Sequence, residues 1–478
     1  MEYKFKATPL LRRPLDTNII MVRLFIGLLV VYAFGLYNAA TWGKEYLINA
    51  ILLFVVSLGV GTIVEVLFAL GCKKKPLDFL KTSFHYITCI ILVLTVPCNT
   101  SLYAMGMATA LALFFGKLVF GGFGQNIFNP AGVGRAIIAT SFTGKVALDA
   151  ITSPTITSAL ANMNWISNAE NYLKLVNHYG GLGSIVGGTY FGALGETSTI
   201  LILVVGIVLA ILDVIDWRIP ATYLGAMFVG SAIVGFSHGL GIDYPITFIS
   251  TGGVAFCGVF MLTDPVTNPQ TRPGKIFFAT IAALITVLIR FLGNLPEGAV
   301  FSVLLVNLLS PTIDRLFGYK QITAYKRNKM IVFSSIAAVV LIIAVAGNSL
   351  TPGTFDPNAF VKPQESTGLT LNSDFNSNKA TVTSVEGNTY HVTSVGYHGE
   401  DSLNEFAVVI ENGTIVSIEC TKFGDTEGVG DIAVNPDEYL WKFEGLTIDS
   451  PIDAYTGATF TSRSVMAAAQ AALKEASK

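Results

Sequence analysis

Up to about residue 350 this chain is a succession of long apolar runs, and nothing else in it restricts the possible folds so strongly. Backbone polar groups placed in lipid must pair with one another, so an apolar run of about 20 residues becomes a spanning helix. Runs near 19–37, 46–70, 83–97, 102–120, 131–147, 197–214, 220–236, 245–262, 276–292, 297–314 and 330–347 predict eleven helices. The third and fifth are short enough to be partly re-entrant. Only 13% of the residues are charged, against about a quarter in soluble domains. The fold expected is a polytopic α-helical membrane protein of about ten helices plus one anchor helix, followed by a small α+β domain.

The net charge of -2 conceals two surroundings. Residues 1–350 carry 23 Lys/Arg against 14 Asp/Glu, and residues 351–478 carry 7 against 18. A basic membrane part and an acidic water-facing part are what such a split means. The basic residues also orient the helices. Lys4, Lys6, Arg12 and Arg13 precede the first helix, Lys73, Lys74 and Lys75 follow the second, and Arg218, Arg272, Lys275, Arg315, Lys320, Lys326, Arg327 and Lys329 fall in later even-numbered connections. The odd-numbered connections are poor in such residues, Lys44 being an exception. The N-terminus is therefore expected in the cytoplasm and, after eleven crossings, the C-terminal domain outside. The same count puts residues 148–196 outside. Helices 1–5 and 6–10 would run in opposite senses, as in an inverted repeat, although the halves share no visible sequence echo. The first apolar run follows a polar tail and lacks a small-residue cleavage site, so it reads as a retained helix.

Domain boundaries are expected at 1–320 for the membrane domain, 330–347 for the anchor, 348–378 for a linker rich in Thr, Pro, Asn and Ser, and 379–478 for the terminal domain. Alternation in 381–385 and 406–410 predicts strands, Glu411-Asn412-Gly413-Thr414 a hairpin turn into 415–418, and the alanine-rich stretch 462–476 a closing helix.

Two short strings carry the chemistry. Asp453-Ala454-Tyr455-Thr456-Gly457-Ala458-Thr459 stands just before the closing helix, and Asp149-Ala150-Ile151-Thr152-Ser153-Pro154-Thr155 is an imperfect copy. The pattern Asp-x-x-(Ser/Thr)-Gly-Ala-Thr resembles the signal of bacterial flavin transferases, which esterify the last threonine with the phosphate of FMN. Gly457 and Ala458 leave the hydroxyl of Thr459 accessible. Thr456, Thr461 and Ser462 can donate hydrogen bonds to a phosphate, and residue 462 begins a helix whose amides favour an anion. Without the flavin, 453–459 reads as a turn plus helix cap and 149–155 as a helix exit and turn. In the string at 149–155, Ser153 and Pro154 stand where Gly or Ser and then Ala are usual, and proline restricts the backbone that presents Thr155.

With Lys422-Phe423-Gly424-Asp425-Thr426-Glu427-Gly428-Val429-Gly430 added, residues 379–478 resemble the G subunit of the Rnf electron-transport complex and the C subunit of the sodium-pumping quinone reductase. Residues 1–320 resemble the D subunit of Rnf and the B subunit of the reductase. Phe120–Arg135, Leu194-Gly195-Glu196-Thr197-Ser198 with Asp216-Trp217-Arg218-Ile219-Pro220, and Leu262–Pro269 carry that likeness. The resemblance implies covalent FMN on Thr459 and Thr155, with Asp453 and Asp149 in the recognition strings, and a noncovalent riboflavin in the bundle. It further implies an Rnf-type, ion-translocating redox complex whose other subunits supply the dehydrogenase and iron–sulfur centres, a flavin transferase, membrane lipid as surroundings, and no nucleic acid. A conduit exporting electrons without pumping, or a small-solute or flavin transporter, are the other readings of the same chain.

The segment 121–134 is either close packing through glycine or a site lined by Gln125, Asn126, Asn129 and Arg135. Asp264, Glu196, Asp213, Asp216 and Glu297 serve either ion paths or helix-end anchoring, and Arg290 can snorkel. No phosphate loop or dinucleotide fingerprint is present, so NADH binding is not expected. No residue is assigned as catalytic. The spacings of Cys72, Cys89, Cys98, Cys257 and Cys420, and of His178, His238, His391 and His398, give no metal site.

Overall fold

The computed structural model describes residues 16–142, 155–293, 298–318, 324–355, 371–372, 379–396, 399–411, 413–425, 430–436, 439–450, 452 and 459–477. Two compact units divide the chain, 1–360 and 361–478.

Unit 1 is helical. Its elements are α1 (Thr17–Trp42), α2 (Lys44–Gly71), α3 (Pro76–Ser83), α4 (His85–Leu94), α5 (Leu102–Leu113), α6 (Pro130–Ser141), α7 (Ile156–Asn162), α8 (Ala169–His178), α9 (Gly181–Gly187), α10 (Thr199–Ile211), α11 (Arg218–Ser237), α12 (Asp243–Ser250), α13 (Val254–Phe256), α14 (Arg272–Leu292), α15 (Ala299–Gly318) and α16 (Tyr325–Asn348). π-Helical turns extend α5 over Phe114–Leu118 and α13 over Cys257–Met261. Local chemistry sets many of the starts. Asp16, Ser101, Asn129, Ser198 and Thr271 accept backbone amides as N-caps, and Pro76 and Pro130 occupy first turns, where the missing N–H has no partner to lose.

Among the described residues, α1, α2, α11, α14, α15 and α16 are long and apolar enough to cross a membrane, which makes this a multi-pass membrane protein. Two further spans are broken. α3 and α4 meet at 50° and α12 and α13 at 69°, so the count reaches eight if each bent pair is one span. The expectation of about ten helices plus an anchor is met in part, by six long helices, two bent pairs and shorter apolar helices. The runs at 83–97 and 245–262 kink because Phe84 (φ 52°) and Gly252 (φ 63°) leave helical geometry, and those at 102–120 and 197–214 yield only the shorter helices 102–118 and 199–211. The expected anchor, α16, packs into the bundle. Gly230 of α11 admits Ile343, and Gly347 of α16 sits against Val234 and Phe291.

The stretch expected as a linker begins docked. Gly353 donates its N–H to Ile166 O at 2.7 Å, Asn164 Nδ2 donates to Thr351 O at 3.3 Å, and Phe355 is buried against His178. A Cβ on residue 353 would lie 2.6 Å from Met163 Cα, so this seat requires glycine.

Unit 2 is a four-stranded antiparallel meander, β1 (Ala380–Glu386), β2 (Thr389–Gly396), β3 (Gly399–Glu411) and β4 (Thr414–Lys422), in that spatial order. Gly387 (φ 62°) and Gly413 (φ 76°) turn the outer hairpins. α17 (Thr459–Ala476) packs on the sheet. Val392, Phe406, Val408, Ile410, Ile415 and Ile418 meet Val465, Met466, Ala468, Ala469, Ala472 and Leu473 in one core. The alanines raise helix propensity, and they also let the helix sit close on the sheet.

Candidate functional site

Side chains of a strand alternate between faces, and the inward face of β2 and β3 changes character along its length. Val392, Phe406 and Val408 make its apolar part. Ser394 and Asn404, direct cross-strand partners, follow at the same inward parity and are both fully buried. That polar end lies under the first turns of α17. Ser464 Oγ is 2.6 Å from Ser394 Oγ and accepts from Asn404 Nδ2 at 3.1 Å. Asp425, just beyond β4, accepts from Asn404 Nδ2 at 3.1 Å and from Thr461 Oγ1 at 2.8 Å, and Gly424 N–H donates to Asn404 Oδ1 at 2.8 Å. The Asp425 carboxylate lies flush on Gly396, where a Cβ would overlap it. The 422–425 segment is thereby tied to the start of α17.

Thr459 is the first residue of α17. Asp453, Thr456, Gly457 and Ala458 lie outside the described residues, as does the side chain of Thr459. Thr461 and Ser462, expected to face a phosphate, are buried. The hydroxyl proton of Thr461 goes to Asp425, so in this arrangement Thr461 braces the helix start. Asn404, Ser394 and Ser464 escaped the sequence reading, although a polar residue at core parity with Phe406 and Val408 was the available signal.

Thr155 is the N-cap of α7 and half-buried. Its Oγ1 accepts from Ser158 N at 3.3 Å and lies 2.9 Å from Ser158 Oγ. An esterified threonine oxygen keeps lone pairs, so this cap is compatible with a phosphoester. Asp149, Ser153 and Pro154 fall outside the described residues.

Unit 1 also holds a pocket among its helices. Apolar residues of α1 and α4 line it together with Lys117, Asn126, Asn129, Thr263 and Asp264. Both π-helical turns run into it, and such turns recur at functional sites. Gly121, Gly122 and Gly124 adopt positive φ, so the chain can fold back after the first π turn. Asn129 N–H donates to Asn307 Oδ1 at 3.1 Å while its side chain caps α6. Lys117 Nζ pairs with Glu65 Oε1 at 2.8 Å and donates to Ser83 O at 2.5 Å and Ser83 Oγ at 2.7 Å. Both members of the pair are almost wholly buried, where removing one partner strands the other charge. Of Gln125, Asn126, Asn129 and Arg135, the pocket is lined by Asn126 and Asn129, while Gly132 and Gly134 pack closely against Leu304 and Leu92.

Of the other acidic residues, Asp216 joins the starts of α11 and α14 through Arg218 Nη1 and Lys275 Nζ, each at 3.1 Å. Burial pushes its carboxyl up, but the Arg218 amide and the two cations outweigh this and hold it below the usual range. Arg290 does not snorkel; it is 1% exposed inside the bundle. Glu297 lies outside the described residues. Among the described residues no three His, Cys, Asp or Glu side chains gather as a metal site. In unit 2, burial pushes the Cys420 thiol up to about 11.

Residues 4–323 match the NQR2, RnfD, RnfE family. The chain belongs to that family. Residues 396–474 match the FMN-binding domain, so a family membrane region and a flavin-binding domain are fused in one chain. The network around Asp425 lies inside the second match. The D subunit of the proton-translocating ferredoxin:NAD(+) oxidoreductase complex of Clostridium ljungdahlii is 30% identical over 323 residues, covering 66% of this chain and 94% of that one. The D subunit of the Na(+)-translocating ferredoxin:NAD(+) oxidoreductase complex of Acetobacterium woodii is 28% identical, covering 65% and 92%. The B subunit of the Na(+)-translocating NADH-quinone reductase of Chromohalobacter salexigens is 32% identical, covering 55% and 64%. Homology of this kind supports a redox role in a multisubunit assembly.

Proposed function

We propose that this chain is the membrane flavoprotein subunit of an Rnf-type, ion-translocating electron-transport complex, carrying FMN esterified to Thr459 and to Thr155. The observation that carries the reading is the fusion itself: a membrane region of this family and an FMN-binding domain share one polypeptide. Each threonine also stands at a helix start, Thr155 as N-cap of α7 and Thr459 as first residue of α17, where amides and the helix dipole favour an anion.

FMN, when bound, supplies the redox chemistry, and the protein sets its position and potential. In unit 2 the hydroxyl of Thr459 would hold the phosphoester, with Asp453, Thr456, Gly457 and Ala458 as the transferase's recognition string and Thr461 and Ser462 in the adjoining helical turn. Asp425 and Asn404 keep that turn in place. In unit 1 the oxygen of Thr155 would hold the second ester. The cavity beside Lys117 and Asn129 is the proposed seat of a noncovalent riboflavin, its apolar walls suiting a flat ring system and its amide side chains the ring's polar edge.

Counting the shorter helices α5, α6 and α10 as further passes brings the eight spans to eleven, and eleven passes with this distribution of Lys and Arg would put both threonines outside the cytoplasm. Fusion then keeps the FMN-binding domain at high effective concentration beside its electron partner. The other partners are further subunits of the complex and a flavin transferase.

Denatured protein made alongside an active transferase, run on a gel and viewed under ultraviolet light, tests this. Fluorescence should fall stepwise in Thr459→Ala and Thr155→Ala and vanish only in the double variant. Loss of all fluorescence in Thr459→Ala alone would refute the second ester, and a dark wild type would refute both. Redox activity of membranes that does not depend on sodium or build a proton gradient would leave electron carriage standing without the pump.

A further inference from the structure

Where a helix stops inside a membrane bundle, its last carbonyls present a negative end that attracts cations. The break after α12 is such an end, and a side chain fills it. Arg290, in the last turn of α14, donates from Nη1 to Phe248 O at 2.7 Å and from Nη2 to Thr251 O at 2.6 Å. Tyr190 Oη and Thr199 Oγ1 both donate to Ser250 O between them, each at 3.3 Å. The guanidinium carbon lies 4.6 Å from the ring centre of Trp165 and 4.9 Å from that of Phe248, distances at which an aromatic face attracts a cation.

Trp165 closes the turn that follows α7. Asn164 (φ 53°) and Trp165 (φ 63°) are both left-handed, a conformation that a bulky residue keeps only when its surroundings impose it. Here Trp165 N–H donates to Leu160 O at 2.7 Å, Tyr244 Oη donates to Trp165 O at 2.7 Å, and the indole rests on Arg290. The same turn receives Gly353 through Ile166.

We propose that Arg290 is a tethered cation, a positioning residue that closes the carbonyl end of α12 and, through Trp165, fixes the turn holding α7 and its N-cap Thr155. The link to Thr155 rests on the reading of that residue as a flavin carrier; the closure of α12 does not. Lysine is a poorer fit here, because a tetrahedral ammonium lacks the planar fork that meets both carbonyls while lying flat on two rings.

The full-length chain, purified in detergent, tests this as wild type, Arg290→Ala, Arg290→Lys and Trp165→Leu. Arg290→Ala should melt at a lower temperature, and millimolar guanidinium should restore much of the loss while urea, of similar shape and no charge, restores none. No rescue, or equal rescue by urea, overturns the tethered cation. If Arg290→Ala cannot be purified, Arg290→Lys decides: a melting temperature equal to that of wild type overturns the two-carbonyl role, and a lower one upholds it. In a Thr459→Ala background, the midpoint potential of the remaining covalent flavin should shift in Trp165→Leu and Arg290→Ala, and guanidinium should reverse only the latter shift. An unchanged potential in both overturns the positioning of Thr155. A chain in that background with no covalent flavin sinks the Thr155 reading and leaves the guanidinium result to judge the rest.

Discussion

At the scale of single residues, Asp425 bears most on the terminal domain. It accepts hydrogen bonds from Asn404 and Thr461 in a buried setting, and a buried donor left without its acceptor costs about 1–3 kcal/mol. Asp425→Ala should therefore lower the stability of unit 2 by roughly 2–4 kcal/mol, read as an earlier midpoint in urea. It should also reduce flavin loading at Thr459, because the helix start loses its brace. Normal loading with full stability would show that the network is incidental. Cys420 gives a prediction in pH. A thiol raised to about 11 holds almost no thiolate at pH 8, and only the thiolate is alkylated. Exposed Cys72 should therefore take up iodoacetamide well before Cys420, and the gap should narrow as pH climbs toward 11. Peptide mass spectrometry measures both.

At the scale of elements, the sequence was most readable where one local rule decided the outcome. The alternation in 406–410, the turn at Gly413 and the alanine-rich closing helix all stand where their patterns put them. It was least readable where tertiary packing decided. Hydropathy averages over a window, so 245–262 reads as one helix although Gly252 breaks it and Arg290 caps the break. The docking of 351–355 was equally hidden, since the Thr-Pro-Gly composition there is that of any linker, and only the fit of Gly353 on Met163 fixes it. Gly353→Ala should undock this segment, so limited proteolysis should cut near residue 353 faster than in wild type. Asp216 shows how element starts are tied. Its folded carboxyl titrates below the ordinary value, so its contribution is full at neutral pH and disappears as pH falls through that lowered value. Asp216→Asn should cost about 1 kcal/mol at pH 7 and nothing relative to wild type in strong acid, as melting curves at the two pH values would show.

At the scale of the whole molecule, the FMN-binding unit has its own core and its own polar network. Residues 361–478 expressed alone should melt cooperatively and accept FMN from a transferase, with urea and fluorescence assays as the checks; a molten product would show that the membrane unit is needed for folding. The π-helical turns Phe114–Leu118 and Cys257–Met261 carry a different kind of information. Each threads one more residue through its length than an α-helix would, so each is a place where a single residue can be deleted and the helix closed up into regular form. A deletion in a regular stretch turns everything downstream by about 100° about the helix axis, whereas a deletion at 114–116 leaves the residues beyond the turn near their present facing. The surplus residue is thus a buffer: the helix can lose it and still bring the same groups to the cavity.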